Sequence, residues 1–162
     1  MKTLNESIRE YQIQIQKGDI IVAYRGLMDF MMNLRSYFSG KYPDYIISGS
    51  IYYGYMDMTY FAFSPESMKS KKLKIAVVLI HDGLRFEVWL AGYNKQVQAN
   101  YFNMLKKKEG IPFRMPSSLQ GADSILEYTL VENPDFSNPD GLMHQIEERT
   151  IWFIERVKEL VP

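Results

Sequence analysis

The chain has 162 residues, 46% hydrophobic and 23% charged, the size and balance of one globular domain rather than a disordered segment. It contains no cysteine, which excludes disulfides, thiolate metal sites and a cysteine nucleophile. Its formal net charge is zero, which argues against a nucleic-acid partner and gives no reason to expect adhesion to an anionic membrane.

Met1 to Gln16 is polar and periodic and lacks the apolar core of a secretory signal, so the expected location is cytoplasmic. Thr3-x-x-Glu6 has the form of a capping box. Leu4, Ile8, Tyr11 and Ile15 recur at helical spacing. Gly18 can end this helix and Asp19 can cap a second one, which should run to about Phe38. Ile20, Ala23, Tyr24, Leu27, Met31, Leu34 and Phe38 give that helix a wide apolar face, the mark of a central element. Gly26 lies inside it, where close approach of another element would justify a glycine.

Gly40 to Asp44 breaks the helix. Tyr45 to Phe63 then reads as two strands or one long bent strand, with Gly49 and Gly54 as bulges or bends. Ser64 and Pro65 could start a helical turn. Leu73 to His81 and Leu84 to Ala91 form a hairpin around Asp82-Gly83, the residues of a type I′ turn. The run Ile75 to Ile80 is too short to span a bilayer. Asn94 can cap a third helix, which should end by Gly110. Ile125 to Val131 is a further strand, with Leu126, Tyr128 and Leu130 on one face. Asn138 caps a last helix, with Pro139 in its first turn. One domain over 1–162 is expected. Its fold class is α+β: an antiparallel sheet of four or five strands with helices packed mainly on one face.

Two stretches carry a resemblance, Ser48 to Phe61 (SGSIYYGYMDMTYF) and Arg85 to Lys95 (RFEVWLAGYNK). Lys41 to Asp44 (KYPD) and Asn133 to Phe136 (NPDF) fit the same pattern. Together they resemble a family of small bacterial proteins known as a domain of unknown function. The resemblance covers nearly the whole chain and implies a bacterial, cytoplasmic protein. It brings no activity, cofactor or catalytic residue.

The residues themselves suggest two chemistries. Asp57 and Glu87, read as mid-strand carboxylates, with Lys95 nearby, could hold a divalent ion and activate water, as in nucleases of the PD-(D/E)xK type. Trp89 stands where the lysine of such a motif belongs, and a strand intervenes between the two acids. Glu87 could instead pair with Arg85 on a half-solvated face.

The second set is aromatic. Tyr42, Tyr45, Tyr52, Tyr53, Tyr55 and Tyr60 crowd into one stretch, and strand alternation cannot bury them all on one face. Tyr53, Tyr55, Trp89 and Tyr93, with Arg85 and Asn94, could line a ligand pocket or a partner surface. Gly92 to Lys95 could receive an anion at a helix start, though an Asn cap explains the same residues. Gly49 to Gly54 has the glycine spacing of a phosphate loop but not its Lys and Ser/Thr. His81 and His144 are the only histidines and lack the spacing of a helical zinc site. The lysine clusters at 69–74 and 106–108 read as loop and helix-end residues.

The sequence therefore favours a binding module for a small molecule or protein, working through an aromatic-rich sheet surface. The alternative is a metal-dependent hydrolase on Asp57 and Glu87. A homodimer through a sheet edge or the aromatic face is a third reading. No cofactor and no metal ligand are assigned.

Overall fold

Three of the four helices start where a side chain satisfies their free N–H groups. The computed structural model describes residues 1–162. Helix α1 (Leu4–Lys17) opens on the expected capping box, in which Thr3 Oγ1 accepts from Glu6 N and Glu6 Oε2 accepts from Thr3 N. It ends at Gly18, whose φ of 88° is left-handed. Helix α2 (Asp19–Lys41) follows at once. Asp19 does not cap it; Gly18 holds that position, and Asp19 lies in the first turn.

Strand β1 (Ile46–Ile47) is short. Strands β2 (Met58–Ser64), β3 (Leu73–Ile80) and β4 (Arg85–Gly92) follow, then helix α3 (Lys95–Lys106), capped by Asn94. Strand β5 (Leu126–Glu132) and helix α4 (Pro139–Leu160), capped by Asn138, complete the chain. The sheet is antiparallel, with its five strands in sequence order. The architecture is α+β. No helix is long and apolar enough to cross a membrane.

Period-2 alternation builds the core. Phe61, Phe63, Ile75, Val77, Leu79, Phe86, Val88 and Leu90 join one apolar cluster. Helix α2 adds Met31, Leu34 and Phe38, α3 adds Phe102 and Leu105, and α4 adds Ile146, Phe153, Ile154 and Val157. Phe38 is its aromatic hub, with ring centroids 4.7 Å from Phe63 and 6.0 Å from Phe61. Tyr42 and Tyr45 pack on Phe63 at 5.4 and 4.6 Å. Part of the tyrosine-rich stretch is therefore core.

Four local expectations change. The two strands expected in Tyr45 to Phe63 are present as β1 and β2, but the stretch between them is loop, tied by a single Tyr52–Tyr60 bridge. Gly54 there has φ 75°, and a Cβ would strike the Met58 carbonyl, so a bend rather than a strand is fixed. Asp57 accordingly lies in the turn before β2, not mid-strand.

The hairpin is wider than a two-residue turn. Ile80 pairs with Arg85, Leu84 N donates to His81 O, and Leu84 alone takes positive φ, at 40°. A four-residue loop around a type I turn lets Asp82 and Gly83 keep negative φ and moves the left-handed residue to the loop's end. Ser64 starts no helical turn. Its Oγ accepts from Ile75 N at 2.8 Å, and the 3-10 turn Glu66–Met68 begins after Pro65. A bulge opposite Phe86/Glu87 shifts β5, so Leu130 and Val131 are both buried.

Candidate binding site

The alternate positions of the strands make a second surface. Register places Ala62 opposite Ala76, Ala76 opposite Trp89, and Lys74 opposite Ala91. Ala76 and Ala91, next to Tyr60 and Trp89, leave a hollow of about 160 Å³. Its walls are Met58, Tyr60 and Trp89, its floor is Ala76 and Ala91, and its charged rim is Lys74 and Asp123. Gly92 and Asp123 also line an adjoining cleft of about 560 Å³, which runs past Asn94, Lys95 and Gln98 to the 119–123 loop. The two spaces are neighbours through shared residues.

This second cleft is tightly framed. Gln98 Oε1 accepts from Gly92 N at 2.9 Å, and its Nε2 donates to Ala122 O at 3.1 Å. One buried amide thus ties β4, α3 and the loop together. A Cβ on Gly92 would collide with Gln98 N and Asn94 O, so the strand-to-helix turn needs glycine.

Trp89 is held in orientation. Its indole Nε1 donates to Glu87 Oε1 at 2.8 Å. Glu87 is 1% exposed and lies within β4. Its charge is met by Arg85 Nε at 2.5 Å on Oε2 and by Arg114 at 3.0 Å on Oε1. Hydrogen bonding to Glu87 raises the Arg85 pKa further, so its guanidinium stays charged. Arg114 reaches over from the loop that bridges Glu127, and also donates to Thr129 Oγ1 at 2.9 Å. Ser124 Oγ donates to Glu127 Oε1 at 2.7 Å. Glu87 is therefore a structural anchor for the indole, and the expected Arg85–Glu87 pair is present.

The proposed hydrolytic set is not gathered. Asp57 precedes by three residues the Tyr60–Val78–Glu87 row, two strands away from Glu87. Strand rise and spacing put the two backbones about 14 Å apart. Asp57 Oδ1 instead accepts from Tyr55 N and Met58 N, and these bonds hold its carboxyl below its usual pKa. Lys95 begins α3 beyond Gly92, roughly 17 Å along β4 from Glu87. No cluster of three or more acids and histidines suits a metal.

The aromatic candidates divide. Trp89 is in the hollow and Asn94 lines the adjoining cleft. Tyr53, Tyr55 and Tyr93 are exposed and line neither space; Tyr55 is 89% exposed. Tyr60 is half-buried, and burial, then Tyr52 and Asp123, push its phenol pKa up. Sequence reading missed Lys74, Ala76, Ala91, Gln98 and Asp123. Alanines at outward strand positions were the available signal.

His81 forms a separate polar knot. Thr59 Oγ1 is 2.7 Å from Tyr53 O and 2.8 Å from His81 Nε2. The hydroxyl has one proton and the carbonyl can only accept, so His81 Nε2 carries the hydrogen. Burial lowers the imidazole pKa below 6.5, opposed by the Asp57 charge. The unfolded chain therefore binds a proton first as pH falls through 6.5, and the fold loses stability there. Urea midpoints at about pH 7.5 and 5.5 should show this loss, and His81→Asn should reduce it. An equal pH dependence in the variant would remove His81 from the account.

No curated protein matches the chain. No solved structure matches it. A protein family does, over residues 4–161, nearly the full length. The chain belongs to that family, a domain of unknown function (DUF7000).

Proposed function

We propose that this domain binds a small ligand with a flat ring, seated against Trp89 in the alanine-floored hollow. The observation that supports this most is the combination of an anchored indole, a floor of small side chains and a charged rim. The ring would take the apolar walls of Met58, Tyr60 and Trp89. Lys74 and Asp123 would meet an acceptor and a donor on the ligand's polar edge. The adjoining cleft, lined by Asn94, Lys95 and Gln98, would take a polar extension from the ring.

Ligand-observed NMR with a panel of purine, pyrimidine and nicotinamide nucleosides tests the reading. Binding should cause signal transfer with the wild type and be lost with Ala76→Leu, which fills the floor. In a Trp152→Phe background, the same ligand should change Trp89 fluorescence. No binder in the panel, or binders indifferent to Ala76→Leu, would end it.

A further inference from the structure

Helix α1 has no buried residue. Leu4, Ile8 and Tyr11 form one stripe along it and remain 75%, 51% and 61% exposed. A helix of 14 residues is marginal in water alone and draws its stability from packing an apolar face. Its own chain offers that face no cover.

A matching groove lies along the N-terminal half of α2. It measures about 580 Å³ and is lined by Val22, Gly26, Leu27, Phe30, Leu84 and Phe136, among others. No α1 residue lines it. A Cβ on Gly26 would meet nothing within 4 Å, so no element of the same chain comes close to that backbone. Glycine is a poor helix residue, and what it offers in return is close approach by another backbone.

We propose that α1 of a second copy fills this groove, with two copies exchanging their first helices about a two-fold axis. A two-fold exchange satisfies both unpartnered surfaces of each chain at once. Both surfaces carry charges of both signs, Glu6, Arg9 and Glu10 beside the apolar row and Arg25 and Asp29 beside the groove, so acids can meet bases across the interface. The chain is neutral overall, and nothing drives the copies apart. The three exposed apolar side chains of that stripe offer on the order of 300 Å². Over two helices and two grooves this reaches roughly 1,200 Å², the lower end of the range of stable interfaces. The interface lies on the α1–α2 end of the chain and shares no residue with the Trp89 hollow.

Light scattering coupled to gel filtration over a dilution series of the full chain tests the exchange. The wild type should be a dimer. Ile8→Glu combined with Tyr11→Glu should raise its dissociation constant at least about thirtyfold, the loss of an interface anchor. Both residues are exposed within the chain, so the core should remain folded. Gly26→Leu should do the same from the other side, since a Cβ there meets nothing in its own chain and the rest of the side chain would enter the groove. A monomeric wild type would overturn the proposal. So would a dimer indifferent to both variants, or a monomer that sediments with anionic vesicles, which would assign α1 to a lipid surface.

Discussion

Phe38→Ala is expected to destabilise the domain by about 4 kcal/mol, the loss typical of a buried phenylalanine. Phe38 is fully buried and sits where α2 meets β2, in contact with Phe61, Phe63, Tyr37 and Tyr42. Truncation removes the transfer energy of the ring and leaves a cavity that its aromatic neighbours can only partly collapse into. Domains of this size are stable by about 5–15 kcal/mol in total, so a large share would go. Thermal unfolding should shift down by roughly 10 °C. Phe38→Leu, which keeps most of the volume, should lose much less. A Phe38→Ala melt within a degree or two of wild type would mean that the α2–β2 junction is not the hub described.

The second large effect is expected from removing both arginines that hold Glu87. Arg85→Ala with Arg114→Ala leaves a carboxylate that is 1% exposed, with only the Trp89 indole as partner. Breaking a buried pair this way commonly costs about 3–5 kcal/mol. The lower end applies, about 3 kcal/mol, because both arginines are partly exposed and their loss admits water. Glu87→Gln is the informative contrast. It keeps the indole bond and leaves two arginines free to turn to solvent, so its loss should be the smaller one. Urea denaturation of the three proteins reads the order directly. If Glu87→Gln were the worse variant, the arginines would depend on Glu87 rather than the reverse. Loosening Trp89 should also weaken any ligand seated on its ring.

Local chemistry accounts for what was legible in the residue order. Thr3, Gly18, Asn94 and Asn138 mark helix ends because each satisfies or frees backbone groups within its own turn. The alternation Phe86, Val88, Leu90 fixes which side of β4 faces the core, since adjacent side chains point to opposite faces. The pairing of Arg85 with Glu87 follows from residues close together in the chain.

The candidate site is different, because its members come from distant places. Lys74 and Ala91 meet only through the β3–β4 register, and Asp123 arrives on a loop tied down by Gln98. Arg114 finds Glu87 from 27 residues away. Tyr45 and Tyr55 look alike in the sequence, yet one stacks on Phe63 and the other is almost wholly exposed. The amino-acid sequence by itself determined the helix ends, the α+β class and the core face of the strands, because those depend on neighbours within a few residues. Only the tertiary structure decided which tyrosines are core, that Asp57 and Glu87 stand apart, and that Ala76 and Ala91 open a hollow beside Trp89. Those depend on register and loop docking, where contacts between distant residues outweigh local preference.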